Sequence, residues 1–280
     1  MFYTTSKEAD DYIEEDLSYF DLTTYLIGIE GVNGRIEFFA REDCVISGAE
    51  EVEKIFENLS IKIVKKCKSG ARIKKGELIF SGEGESEKLH KAWKVSANIF
   101  EYASGIATRT DRLCRAAKEK SKDVIIATTR KVFPGTKKLS LKSVLAGGGI
   151  PHRQSLADSI LIFKNHLEFI EQENIKMKIE NIKKSAPEKK VLIEADNVEE
   201  AIIYSDYNID GIQIDKADVD ELKKCIKIIK EKNPNMLILA AGGINENNIS
   251  LYAETKADVL VTTSVYFGKP IDIRVKMSKI

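Results

Sequence analysis

Cysteine and histidine are scarce in this 280-residue sequence, and net charge is lacking altogether; each shortage excludes something. Cys44, Cys67, Cys114 and Cys225 stand far apart with no CxxC pair, so neither a zinc knuckle nor a redox dithiol is supported. Four free thiols fit a reducing cytoplasm, the expected location. The only histidines are His90, His152 and His166, without tight spacing, so a histidine-based metal site is not expected. Ser104 has no GxSxG frame, which removes the usual support for serine hydrolase chemistry. No apolar run approaches the ~20 residues that cross a bilayer, and the opening residues show no charged-then-apolar leader. Forty-four Lys and Arg balance 44 Asp and Glu, which disfavours nucleic acid as a partner because it attracts a broad basic face.

What the sequence does contain is a local positive field. Residues 128–166 hold seven Lys or Arg and two of the three histidines around a single acid, Asp158. A cationic island in a neutral chain points to a small polyanionic ligand. Gly147, Gly148 and Gly149 within it let backbone approach such a ligand closely.

The chain is long enough for two domains. Residues 1–120 mix elements without strand-helix alternation: 35–41, 61–66 and 78–81 read as strands and 50–59 as a helix, an α+β unit. A long helical pattern follows from Glu85 to about Lys120, with a break expected near Ser104–Gly105. Beyond it the pattern changes to short apolar strands at 123–129, 159–163, 190–196, 210–215, 236–243 and 257–264, separated by helices. That alternation calls for a parallel sheet of the barrel type, whose site forms at the C-terminal strand ends.

Those ends carry Thr128–Thr129–Arg130, Glu194, Asp215, Gly242–Gly243 and Thr262–Thr263. Gly242 and Gly243, between a strand and a helical pattern starting near Glu246, would aim N–H groups at an anion, and Thr262, Thr263 and Ser264 would add hydroxyls. Plain tight-turn glycines are the competing reading. Glu194 and Asp215 would hold Mg²⁺ or stabilise positive charge, whereas buried salt bridges to Arg130 or Lys131 would explain them structurally. His152–Arg153 lies in a loop, where the guanidinium suits a carboxylate or phosphate fork. The dense charge of 50–59 and 218–232 is expected on solvated helix faces, and Trp93 and Phe100 in core or interface contacts.

The sequence blocks EEDLSYFDLTT (14–24), SANIFEYASGIATRT (96–110), TTRKVFPGTKKL (128–139), LAGGGIPHRQSLADSILIFKNH (145–166), IEADNVEEA (193–201) and AAGGIN (240–245) resemble, in order and spacing, the quinolinate phosphoribosyltransferase or nicotinate-nucleotide pyrophosphorylase family. The segment starting at Thr129, with VTTSVYFGKPIDIRV (261–275), is similar to its ModD branch, pyrophosphorylases associated with molybdenum transport. The resemblance implies an α/β fold: an N-terminal α/β sandwich over 1–110, an open α/β barrel over 111–267, and a tail, 268–280, packing on the first domain. It implies a homodimer or higher oligomer in which one subunit's N-terminal region completes its neighbour's site. It also implies transfer of a phosphoribosyl group from phosphoribosyl pyrophosphate to quinolinate with Mg²⁺ present, a step of NAD biosynthesis that releases pyrophosphate and carbon dioxide. No organic cofactor is implied.

By that resemblance Glu194, Asp215 and Lys131 are the expected catalytic groups. Lys94, Arg130, Lys131, His152, Arg153, Lys164, Gly242, Gly243, Thr262 and Thr263 are expected to bind substrate, with Mg²⁺ at Glu194 and Asp215. Several positions depart from the family pattern. Lys94 stands for an arginine, Phe163 for a lysine, Pro151 for an asparagine, Lys216 for an asparagine, Ala241 for a serine and Thr263 for a glycine. Because adjacent strand residues face opposite sides, Lys164 is no automatic substitute for the lysine lost at Phe163. The departures point to an altered aromatic acceptor. The rival expectation is a non-catalytic receptor for phosphoribosyl pyrophosphate or an oxyanion such as molybdate, against which two carboxylates in the pocket count.

Overall fold

A computed structural model describes residues 3–17 and 19–280; of the sequence block 14–24, Ser18 lies outside the described residues. The chain divides into two compact units. One gathers the residues up to 111 with 133–148 and 266–280, and the other consists of 112–132 and 149–265. Among the described residues no helix is long and apolar enough to cross a membrane.

The first unit contains α1 (Ser6–Glu14), α2 (Leu22–Ile27), β1 (Asn33–Ala40), β2 (Cys44–Val45), α3 (Ala49–Asn58), β3 (Lys62–Lys66), β4 (Arg72–Ile73), β5 (Leu78–Glu85), the part of α4 (Ser86–Lys118) up to Asp111, α5 (Lys137–Ala146) and the last strand, β13 (Ile273–Lys279). Thr5 starts α1 through a capping box with Glu8, each side chain bonding the other's backbone N–H. The antiparallel sheet has the order β13-β1-β5-β3. Along β1 every second residue is buried, including Ile36, Phe38 and Ala40, as a strand with one covered face requires. Phe38 and Phe80 from the sheet meet Phe56 of α3 and Phe100 of α4, with ring centroids 5.0–6.3 Å apart. Burying each such ring contributes about 1.5–3 kcal/mol. Phe100 thus joins the core as expected, whereas Trp93 is 43% exposed.

Three expectations are corrected here. Helix α4 runs unbroken through Ser104–Gly105. Gly105 serves packing instead: a Cβ there would come within 3.3 Å of the Lys269 carbonyl and Pro270 Cα, so the glycine lets the tail pass against the helix. Arg109 secures that tail by donating to the Lys269 carbonyl at 2.7 Å. Residues 133–148, placed with the barrel by the sequence reading, belong to the first unit. Their contacts there include Leu139 against the core, Lys138 paired with Glu8, and an ion pair between Lys142 of α5 and Glu51 of α3, which Thr4 Oγ1 also reaches at 2.9 Å. Glu51 is 3% exposed, so the charge-rich α3 does not present all its acids to water.

The second unit is built on β6 (Ile125–Thr128), β7 (Ile150–Pro151), β8 (Ile160–Ile162), β9 (Val191–Ala195), β10 (Gly211–Asp215), β11 (Leu237–Ala241) and β12 (Val259–Thr262). Helices α6 (Lys164–Leu167), α7 (Ile175–Ser185), α8 (Val198–Tyr204), α9 (Val219–Lys232) and α10 (Ile249–Ala253) intervene. All neighbouring strands pair parallel in the order β7-β6-β12-β11-β10-β9-β8. Ala127, Leu161, Leu192, Leu239, Val259 and Val261 form one cluster inside the curved sheet. Helix α9 starts where Asp218 accepts hydrogen bonds from the N–H groups of Asp220 and Glu221, and it buries Leu222, Cys225, Ile226 and Ile229. Strand β7 was missed by the periodicity because two residues after a glycine run show no alternation.

Removing one partner of the Glu51–Lys142 pair strands the other charge in the core. Lys142→Ala is expected to lower the unfolding free energy by about 3–5 kcal/mol. Replacing both partners with apolar residues (Glu51→Leu with Lys142→Met) should restore most of it, as urea denaturation will read.

Candidate active site

A cavity of about 520 Å³ opens at the C-terminal ends of the parallel strands, lined entirely by residues of the second unit. Each strand delivers its last residues there: Thr129, Arg130 and Lys131 after β6, His152 and Arg153 after β7, Phe163 after β8, Glu194 on β9, Gln213 and Asp215 on β10, Gly242 and Gly243 after β11, and Thr262 and Thr263 at the end of β12. The sheet curls enough for its two edges to meet at this rim. The Arg153 guanidinium, beyond β7, stands 5.5 Å from the Phe163 ring centroid beyond β8.

Arg153 is 8% exposed, yet among the described residues it has neither a hydrogen bond nor an ion pair to an acid. Burial, and then the charge of Arg130, lower its pKa, with Asp158 and Glu194 acting in the opposite sense. Such a guanidinium keeps its charge and seeks an anion. His152 is different from the cation expected: burial, then neighbouring Arg153, push its pKa down to about 4. It is therefore a neutral hydrogen-bonding group at physiological pH.

The acids at the two ends of the barrel contrast sharply. At the N-terminal ends, Asp210 accepts from Val191 N and pairs with Lys183, while Asp258 accepts from Ile238 N and pairs with Lys230. These carboxylates are structural. Within the cavity, no ion pair joins Glu194 or Asp215 to Arg130 or Lys131 among the described residues, so the salt-bridge explanation fails. Glu194 accepts one hydrogen bond, from Gln213 Nε2 at 2.5 Å, and Asp215 has the adjacent Lys216 ammonium at 3.6 Å. Desolvation raises the Glu194 pKa, and Asp215 and Asp196 add to the rise.

Lys216 adopts a left-handed backbone, φ 56°, and donates to the Ala241 carbonyl at 2.8 Å. An asparagine accepts that conformation readily, while lysine holds it at a cost of about 1–2 kcal/mol. The contact brings the 215–216 backbone against Gly242, where a Cβ would lie 2.7 Å from Asp215 Oδ1 and 2.6 Å from Lys216 N. Gly242 (φ 90°) therefore positions an acid as well as forming a turn. The following helix, α10, starts only at Ile249 and has five residues, so the anion-binding helix end expected near Glu246 is absent. The turn is held instead by Asn245 and Asn248, which both donate to the Gly243 carbonyl.

Thr262 lines the cavity and is bonded within the rim. Its hydroxyl donates to the Ile244 carbonyl at 2.6 Å and accepts from Ser264 N at 3.0 Å, so it braces the rim. Thr263 lines the cavity, where its hydroxyl meets that of Thr129 at 2.9 Å. Lys164 is outside the lining, exposed on α6 and paired with Asp196 at 3.0 Å. Lys94 belongs to the first unit, beside a shallow groove with Asp16, Phe20, Asp21 and His90. The sequence reading missed Gln213. Its signal was the strand alternation, which puts residue 213 on the same face as Asp215.

Residues 106–276 match the C-terminal domain model of quinolinate phosphoribosyl transferase, and residues 21–104 match its N-terminal domain model. The chain belongs to the quinolinate phosphoribosyltransferase family. A protein of Pasteurella multocida named as a ModD pyrophosphorylase is 33% identical over 282 residues, covering 100% of this chain and 99% of its own. A Methanocaldococcus jannaschii protein named as a carboxylating nicotinate-nucleotide pyrophosphorylase is 32% identical over 253 residues, 89% of this chain and 88% of its own. Among solved structures, the nicotinate-nucleotide pyrophosphorylase of Ehrlichia chaffeensis superimposes with a TM-score of 0.90 at 26% identity, covering 99% of this chain and 100% of that one. That structure shares the fold of this chain over nearly its whole length.

Two predictions follow from the geometry. Gly242→Ala, with both positive φ and no room for a Cβ, is expected to cost at least about 2 kcal/mol. Gly243→Ala, with positive φ but open space, should cost about 1 kcal/mol; urea unfolding separates them. Because folding lowers the His152 pKa, the unfolded chain takes up that proton first as pH drops. The stability it contributes is present above about 6.5 and declines toward about 4; His152→Gln should flatten that part of the stability–pH curve.

Proposed function

We propose that this protein is a phosphoribosyltransferase that joins an aromatic acceptor to the phosphoribosyl group of phosphoribosyl pyrophosphate and releases pyrophosphate. The observation that carries the reading is the buried, acid-free guanidinium of Arg153 in the same cavity as two carboxylates: Glu194, without an ion pair among the described residues, and Asp215, which has only the exposed Lys216 ammonium at 3.6 Å. An oxyanion receptor gains nothing from two carboxylates, whereas transfer through an oxocarbenium-like ribosyl centre uses both signs of charge.

In this reading Arg130, Lys131 and Arg153 hold the pyrophosphate and the acceptor's acidic group, with His152 as a neutral hydrogen-bond partner. The Gly242–Gly243 turn and Thr263 receive the donor's 5′-phosphate. Glu194 and Asp215 face the developing positive charge at the ribose C1. The acceptor's ring nitrogen attacks C1 as the bond to pyrophosphate breaks, so no covalent enzyme intermediate forms. Among the described residues no three His, Cys, Asp or Glu side chains converge as a metal cage. Mg²⁺ fits as an ion carried by the donor's diphosphate, with Glu194 and Asp215 as its oxygen ligands, and there it would neutralise the leaving group.

We further propose an acceptor other than quinolinate. Phe163 lines the cavity where the family pattern has a lysine, and it makes that wall aromatic beside Arg153. A ring with fewer acidic groups than a pyridine dicarboxylate suits this wall better. A homodimer belongs to the same proposal, supported by exposed Tyr19, Phe20, Leu22, Tyr25, Leu26 and Trp93 on the first unit.

Calorimetric titration with phosphoribosyl pyrophosphate and Mg²⁺, then quinolinate, with pyrophosphate monitored, tests the reading. The donor is expected to bind and quinolinate to give little or no release, while a panel of aromatic acids and bases yields the true acceptor. Absence of donor binding would refute the enzyme. Glu194→Ala with Asp215→Ala is expected to abolish turnover; in a receptor it would leave anion affinity unchanged or raised.

A further inference from the structure

The carboxamide of Gln213 makes one hydrogen bond and leaves its other end unsatisfied. The residue is 6% exposed; Nε2 donates to Glu194 Oε2 at 2.5 Å, while Oε1 is buried with no partner among the described residues. Apolar residues stand near it: Leu239 is its register partner on β11, and Leu161 and Val261 line the same cavity. A methionine of similar length suits such surroundings without leaving a buried carbonyl unbonded. The amide's only bond reaches Glu194, and Glu194 has no other hydrogen bond and no ion pair among the described residues. The two are register partners on neighbouring parallel strands, so the bond spans β9 and β10. Turning the amide over would set its oxygen against the carboxylate and bury an unbonded NH₂, so the orientation is fixed while Glu194 is ionised.

We infer that Gln213 is a positioning residue, whose carboxamide holds the Glu194 carboxylate in the cavity across the β9–β10 pair at the expense of an orphaned buried oxygen. The role it serves rests on the reading of Glu194 as the acid facing the ribosyl centre.

Gln213→Met, with Gln213→Leu as a second variant, tests this in the full-length protein by crystal structure, melting temperature and kinetics. The expected result is a Glu194 carboxylate displaced from its wild-type position and a melting temperature unchanged or higher. With it, kcat should fall at least about ten-fold while KM for phosphoribosyl pyrophosphate is unchanged, as loss of orientation predicts. A purely structural bond predicts the opposite pattern: Glu194 unmoved, kcat unchanged and a lower melting temperature. That pattern in both variants overturns the inference. A wild-type chain that neither binds the donor nor releases pyrophosphate overturns the functional reading alone, because the position of Glu194 in the variants still decides whether Gln213 holds it.

Discussion

Parallel pairing is the constraint from which the site follows. Strands that all run one way deliver all their C-terminal residues to one rim and all their N-terminal residues to the other. The chain uses the two rims differently. Asp210 and Asp258 at the lower rim are closed off by lysines and backbone N–H groups, which ties strands to helices. At the upper rim, Glu194 and Asp215 are kept apart from Arg130, Lys131 and Arg153, leaving both signs of charge available to a ligand. Separating opposite charges in a partly buried place is unfavourable for the empty protein and favours binding of a molecule that bridges them.

That separation is maintained by small backbone devices. Gly242 makes room for the Asp215–Lys216 backbone, Lys216 accepts a left-handed conformation, and the Thr262 hydroxyl ties the turn after β11 to the one after β12. None of these groups has to touch a substrate to matter. They fix where Asp215 and the glycine N–H groups stand, and the strain at Lys216 is carried by the surrounding sheet.

The first unit solves a separate problem with more conventional means. Four phenylalanines fill the space between sheet and helices, and the Glu51–Lys142 pair commits α5 to α3. A buried ion pair adds little net stability over apolar replacements, but it penalises any arrangement in which its partners are apart. With Leu139 on the core and Lys138 paired with Glu8, it holds residues 133–148 to chain segments distant in sequence.

By itself, the amino-acid sequence determined the class of fold and most of the cavity lining. The apolar runs ending in Glu194, Asp215 and Gly242 announce parallel strands, and the polar residue after each run must lie at the common rim, because period-two alternation and strand direction are local properties. Tertiary structure alone decided the rest. Whether Glu194 meets a lysine or Gln213, whether His152 is charged, and whether the Thr262 hydroxyl is free all depend on neighbours from other strands. Gly105 read as a helix break because local propensity cannot see the tail packed against it. Lys142 read as part of a ligand-seeking cationic island because burial is set by α3, some ninety residues earlier in the chain. Local pattern fixes which way a side chain points; desolvation and pairing, which set its chemistry, come only from what the folded chain places around it.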